Sequence, residues 1–198
     1  MIRCYITDRH SLREETLLEA IARNLDAGAD WIQIREKDLP ARELFELVEV
    51  ALALPNPRGV KILVNTRADV AVAAGAHGLH LPAGSPAPRR FRSLARPAVL
   101  MGVSCHTVAE VLAAEAGDAD YALFGPVFSP LSKKSDLPSH GLDGLHRATA
   151  ATRIPVLALG GITSGNIADC IEAGAAGVAG ISLFQSPNGH RDLLESQP

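Results

Sequence analysis

The sequence predicts an α/β protein folded as a closed (β/α)8 TIM barrel, a single compact domain over residues 1–198. Three observations predict it. Short apolar runs alternate with stretches of helical periodicity eight times along the chain. Each unit takes about 20 to 30 residues, the length of a β/α crossover. The late runs Ile154–Ile162 and Ala176–Ser182 are apolar throughout except for glycines and a terminal serine, the pattern of parallel strands buried on both faces. Finally, a chain of 198 residues holding eight such units has little room for insertions, as a minimal barrel requires. An open doubly wound sheet is the competing arrangement. No GxGxxG turn follows the first strand, which disfavours its dinucleotide-binding version.

The elements can be justified in order. Cys4 to Thr7 is a short apolar strand. Leu12 to Ala27 carries Leu17, Leu18, Ile21 and Leu25 at helical spacing and stops at Gly28. Trp31 to Glu36 alternates as a second strand. Ala41 to Leu54 is a helix stopped by Pro55 and Pro57. Lys61–Val64, the helix Ala68–Ala74, and Gly78–Leu81 follow. Pro86 to Leu94 is read as a helix whose arginines, Arg89, Arg90 and Arg92 with Arg96 beyond, form a solvated face. Val99–Ser104 is the fifth strand, and Thr107 caps the helix to Ala116. Tyr121–Gly125 is the sixth. A polar loop, Ser129 to His140, leads into a helix from Leu142 to Thr152. The last two strands are separated by a helix from Thr163 to Ala173, and a short helix from Gly189 to Glu195 closes the chain.

Composition narrows the function. Hydrophobic residues make up 47 % and charged residues 21 %, an ordinary globular balance. The net charge of −3, without a basic stripe, argues against nucleic acid as a partner. No apolar run approaches the ~20 residues that span a bilayer, and the chain opens directly on a strand, so neither a membrane segment nor a signal peptide is expected. Cys4, Cys105 and Cys170 have no metal or redox spacing and read as reduced core residues. A cytoplasmic location follows from these readings.

In a barrel, function sits where strands end at their carboxyl termini. Gly160 and Gly161 there, with Ile181 and Ser182 on the neighbouring strand, form a cup of backbone N–H groups suited to a phosphate. A tight turn is the plainer reading of the glycines alone. Gln33, Arg35 and Lys37 share one face by their spacing and bring an amide and two cations to the same mouth, suited to an anion. Asn65, Thr66 and Arg67 end the third strand, His80 and Ser85 the fourth, and Ser104 and His106 the fifth. Ser129, Ser132, Lys133 and Lys134 follow the sixth. His80 and His106 read first as oriented polar core residues and second as acid/base groups. His140, in a glycine-bounded loop, is a candidate lid residue.

Together these stretches resemble the thiamine-phosphate synthase and TenI family of barrels over essentially the whole chain. The residues that carry the resemblance are Tyr5-Ile-Thr-Asp8, Gln33-Ile-Arg-Glu-Lys37, Asn65-Thr-Arg-Ala-Asp69 and Gly78-Leu-His-Leu81. They continue with Gly102-Val-Ser-Cys-His-Thr107, Asp120-Tyr-Ala-Leu-Phe-Gly-Pro-Val-Phe128, Gly160-Gly-Ile162 and Gly180-Ile-Ser182. In a synthase of this family, the resemblance implies that Arg35, Lys37, Asn65 and Lys133 hold an aminopyrimidine diphosphate. The Gly161/Ser182 cup would hold the thiazole phosphate, and the two join with loss of pyrophosphate through a carbocation-like state. Two aspartates would hold Mg2+; their places are Thr66 and Ser85 here, so two formal charges are missing. Ser129-Pro-Leu-Ser-Lys133 departs from the family's PTxTK.

The turn Leu81-Pro-Ala-Gly-Ser85 resembles the TenI branch instead. The activity this implies is a thiazole tautomerase, which needs one anion site, an acid/base group and no metal. The TenI acid/base histidine falls at Pro126, so His106, His80 or His140 would have to move the proton. The expectation is therefore a TenI-like, metal-independent tautomerase in thiamine biosynthesis, without a cofactor. Its ligand would be a small phosphorylated thiazole held by Gln33, Arg35, Lys37, Asn65, Ser104, Ser132, Lys133 and the cup of Gly160, Gly161, Ile181 and Ser182. The alternatives are a Mg2+-dependent synthase and a non-catalytic binder or regulator. A homodimer is left open.

Overall fold

The computed structural model describes residues 1–94, 99–129 and 138–186. Eight parallel strands close into a barrel in sequence order: β1 (Ile2–Ile6), β2 (Trp31–Ile34), β3 (Lys61–Asn65), β4 (Gly78–Leu81), β5 (Leu100–Cys105), β6 (Tyr121–Phe124), β7 (Val156–Leu159) and β8 (Gly177–Gly180). Closure is made by β8 against β1, where Cys4 pairs with Ala179. The helices outside are α1 (Leu17–Ala27), α2 (Ala41–Ala53), α3 (Ala68–Ala73), α4 (Arg89–Arg92), α5 (Val108–Ala116), α6 (Gly141–Ala150), α7 (Ile167–Glu172) and α8 (Ser182–Gln185). The expected barrel and its order are therefore present. The expected helix Gly189–Glu195 lies outside the described residues.

Strand parity separates two cores. Ile32, Ile34, Ile62, Val64, Phe124 and Val178 point outward and pack under the helices in one large cluster. Cys4, Ile6, Leu63, Tyr121, Leu123, Leu157 and Ala179 fill the barrel from inside, with Trp31 packed against them. One turn higher, the inward positions change to Gln33, Asn65, His80 and Ser104, so the interior is apolar below and polar at the carboxyl-end mouth. A glycine makes room for this filling: a Cβ on Gly102 would lie 2.0 Å from the Tyr121 ring.

Several boundaries differ from expectation for identifiable reasons. α1 starts at Leu17, not Leu12, because Thr16 and Glu19 form a capping box. In it Glu19 Oε2 accepts from the Thr16 N–H at 2.7 Å. β2 stops at Ile34 because the Arg35 N–H donates to Thr7 Oγ1 at 2.9 Å instead of continuing the ladder. The helix expected from Pro86 shrinks to the single turn of α4. Its arginines are not merely a solvated face. Arg89 donates to Ala116 O, and Arg92 pairs with Asp120 at 2.8 Å and donates to Asp118 O at 2.7 Å, bracing the turn that feeds β6. The long final helix before β8 is a 3-10 turn, Ser164–Asn166, followed by α7. The three cysteines are free and buried. Among the described residues no helix is long and apolar enough to cross a membrane.

Candidate active site

Two sides of the mouth are built differently. On the β2–β4 side, Gln33 and Arg35 point inward and Lys37 follows on the rim. Gln33 is 1 % exposed, Arg35 is half-buried and Lys37 is exposed. Arg35, Lys37, Asn65, Thr66 and Arg67 line one cleft of about 330 Å3. Arg35 beside it, and then partial burial, lower the Lys37 pKa. This is the signature of two cations held close with no carboxylate between them. Arg67 is committed elsewhere, to Asp69 two residues on.

The polar residues of this side are joined by hydrogen bonds with a direction. The Thr66 hydroxyl donates to Asn65 Oδ1 at 2.8 Å, and Asn65 Nδ2 donates to Gln33 Oε1 at 3.0 Å. Gln33 Nε2 is buried and has no partner among the described residues. A second series runs from Tyr121 to His80 Nδ1 at 3.0 Å and from His80 Nε2 to Ser104 Oγ at 2.8 Å. Burial, and then the Arg35 charge, push the His80 pKa down to about 3, so the ring is neutral. Burial raises the Tyr121 hydroxyl well above its ordinary pKa, so it keeps its proton. That proton has His80 Nδ1 to go to, which makes Nδ1 the acceptor and Nε2–H the donor to Ser104. Ser104, half-buried at the mouth, is left with its own O–H to give.

On the β7–β8 side, Gly160 and Gly161 have φ of +95° and +62°, where a side chain is strained. A Cβ on Gly161 would lie 2.6 Å from Ser129 O, so the backbone of the β6–α6 turn passes directly over it. Leu159 pairs with Ala179, which brings Gly160 and Gly161 beside Ile181 and Ser182. Ser182 is exposed and borders a cleft of about 850 Å3 with Arg13, Glu14 and Gln185.

The remaining candidates lie elsewhere. The His106 ring is pinned at the rim by Nδ1 to Gly125 O at 2.6 Å. His140 packs tilted against Phe124 with centroids 4.9 Å apart, and Phe124 belongs to the outer core. Ser132, Lys133 and most of the Ser129–His140 loop lie outside the described residues. A network not singled out in the sequence supports the basic rim from outside. Glu36, only 4 % exposed, accepts from Thr7 Oγ1 at 2.6 Å and from Arg9 Nη1 at 3.0 Å. Arg9 also pairs with Asp38 through Nη1 at 2.7 Å. The signal was legible: a carboxylate on the outward parity of a buried strand must be paired.

Residues 3–184 match the profile of the thiamine monophosphate synthase (TMP-TENI) family. The chain belongs to that family. A Geobacter sulfurreducens protein, whose name of thiamine-phosphate synthase is itself provisional, is 45 % identical over 179 residues, covering 90 % of this chain and 84 % of that one. The thiamine-phosphate synthase of Roseiflexus castenholzii is 40 % identical, covering 89 % and 78 %. The solved thiamine phosphate pyrophosphorylase of Pyrococcus furiosus superposes with a TM-score of 0.85 at 31 % identity, covering 98 % and 94 %.

These family members correct the tautomerase expectation: they are named synthases and a pyrophosphorylase, not isomerases. The geometry gives a physical reason. His80 has both ring nitrogens bonded and stays neutral, His106 has Nδ1 tied to a backbone carbonyl, and His140 packs outside the barrel wall. His80 and His140 are thereby unavailable at the mouth, and there His106 alone keeps a ring nitrogen, Nε2, without a partner among the described residues.

The resemblance also implied a magnesium ion held at positions 66 and 85. The donors present do not fit it. Mg2+ needs oxygen acceptors, normally carboxylates. Thr66 and Ser85 offer two neutral hydroxyl oxygens in place of two carboxylates, so the negative charge that holds Mg2+ is missing. Glu36 and Asp69, the nearby carboxylates in sequence, are paired with Arg9 and Arg67. Among the described residues no group of three or more His, Cys, Asp or Glu side chains is placed to hold a metal.

Proposed function

We propose that this barrel is a thiamine-phosphate synthase, joining an aminopyrimidine diphosphate to a thiazole phosphate and releasing pyrophosphate. The observation that carries the reading is that the carboxyl-end mouth brings together two separate groups of residues, each suited to an anion. Arg35, Lys37 and the Gln33 and Ser104 donors face one side, and the Gly160–Gly161/Ile181–Ser182 cup faces the other. A tautomerase has one phosphate to hold; a condensation of two phosphorylated substrates has two phosphoryl groups on separate molecules.

In this reading the C–O bond to the diphosphate breaks with its electron pair leaving on pyrophosphate. The thiazole nitrogen forms the new bond to the exposed carbon. The barrier lies largely in charge accumulating on the departing group. Arg35 and Lys37 stabilise that charge electrostatically, and the Gln33 N–H and Ser104 O–H orient it. Lys133, on the loop after β6, would add a third cation. The cup holds the thiazole phosphate so that its ring faces the reacting carbon, which supplies proximity.

Steady-state kinetics with each substrate varied in turn tests this division. Arg35→Ala is expected to raise KM for the diphosphate about 100-fold or lower kcat comparably, since a buried charge-assisted bond contributes about 2–3 kcal/mol. Ser182→Ala is expected to raise KM for the thiazole phosphate with little effect on the diphosphate. Absence of turnover in the wild-type protein, or both variants acting on the same substrate, would refute the reading.

A further inference from the structure

Thr66 stands where the resemblance places a metal-binding aspartate, and it does different work. Its hydroxyl supplies Asn65 Oδ1, Asn65 Nδ2 supplies Gln33 Oε1, and the free end of the series is Gln33 Nε2, an N–H donor 1 % exposed and unpartnered among the described residues. The Tyr121–His80–Ser104 series also ends in an O–H that has no acceptor among the described residues. Arg35 and Lys37 stand beside them in a cleft whose one carboxylate, Glu36, is paired with Arg9, so cations and N–H or O–H donors outnumber unpaired acceptors on this wall. Donors bind phosphate oxygens directly, whereas a hydrated Mg2+ needs acceptors. An aspartate at 66 has no proton to give. It would accept from Asn65 Nδ2, turn that amide round and reverse the series.

We propose that this mouth binds a diphosphate group directly, with no divalent cation between protein and anion, and that Thr66 is the positioning residue that orients the Asn65 amide so that Gln33 Nε2 is left as the free donor. The proposal rests on the synthase reading for the identity of the anion.

Calorimetric titration of inorganic pyrophosphate into the full chain, in EDTA and in excess Mg2+, tests it. Affinities within about threefold of each other are expected. In EDTA, Thr66→Ala is expected to weaken binding roughly fivefold, the loss of about 1 kcal/mol of hydrogen-bond orientation. Thr66→Ser, which keeps the hydroxyl, is expected to restore it. Folding is not at issue in the further variant Thr66→Asp. The backbone of Thr66 lies at φ +66°, a conformation aspartate adopts more readily than a β-branched residue. Combined with Ser85→Asp it is expected to make pyrophosphate binding depend on Mg2+. Wild-type binding that requires Mg2+, equal affinity of the Ala and Ser variants, or no pyrophosphate binding under either condition would overturn the proposal. Thiamine phosphate formation together with Mg2+-dependent pyrophosphate binding would remove this inference and leave the synthase reading. Metal-free pyrophosphate binding without turnover would do the reverse.

Discussion

Tyr121→Phe isolates the interior relay with the smallest change in shape. The ring keeps its place over Trp31, with centroids 4.6 Å apart, and above Gly102. Only the hydroxyl is lost. His80 Nδ1, buried at 1 % residue exposure, then has no donor, because Tyr121 is its sole partner among the described residues. Leaving a buried acceptor unpaired costs about 1–3 kcal/mol. At about 2–4 °C per kcal/mol for a domain of this size, Tm is expected to fall by roughly 2–12 °C. The second consequence is chemical. Without the Tyr121 proton nothing forces Nδ1 to be the acceptor, so His80 is free to take the other tautomer and Ser104 loses its fixed direction. Urea denaturation measures the first effect, and 15N chemical shifts of the His80 ring measure the second. The wild-type protein should show the Nε2–H tautomer alone, and the variant a mixture. A variant within about 0.5 kcal/mol of wild type that retains the Nε2–H tautomer would refute the relay.

Three further outcomes follow from the same geometry. Gly161→Ala should lower stability by about 1–2 kcal/mol, because φ +62° is strained for alanine and its Cβ meets the Ser129 carbonyl; urea unfolding measures this, and a neutral substitution would deny the close passage of that turn. His80, with its pKa pushed down to about 3, takes up a proton more readily when unfolded than when folded. Its contribution is therefore complete above the ordinary histidine pKa and is lost as pH falls, at about 1.4 kcal/mol per pH unit between roughly 6.5 and 3; unfolding of wild type and His80→Gln across that range should show a shallower slope in the variant. Burial pushes the Cys4 and Cys105 thiols up to about 12 and Cys170 to about 11, so a thiol reagent near pH 8 should label none of the three until the chain is unfolded.

The barrel was legible because its signals are local. Apolar strand runs, glycine stops and helix-capping residues each sit within a few positions, and each agrees with the closed topology. The errors are local as well. Leu12 extends the helical spacing of α1, but the Thr16–Glu19 box fixes the start. The helix expected from Pro86 is only the turn of α4, Arg89–Arg92. The position of Arg35 and of Gly160–Gly161 at the mouth could be seen because strand parity and paired glycines put them at strand ends. The relay could not: Tyr121 lies 41 residues from His80, and only closure of the barrel brings the two rings together. Nor could the inverted role of Thr66, which depends on one backbone conformation and on the direction of two amides. The same blindness explains the tautomerase expectation. It assigned a proton to histidines, of which the fold commits both ring nitrogens of His80 and places His140 against the outer core.

The central claim is that this mouth holds two phosphorylated substrates and condenses them. Incubation of the purified chain with aminopyrimidine diphosphate and thiazole phosphate, followed by 31P NMR, tests it most directly. Equal amounts of thiamine phosphate and pyrophosphate are expected to appear as both substrates disappear. Unchanged spectra in both EDTA and excess Mg2+, with enzyme in stoichiometric amount, would contradict it.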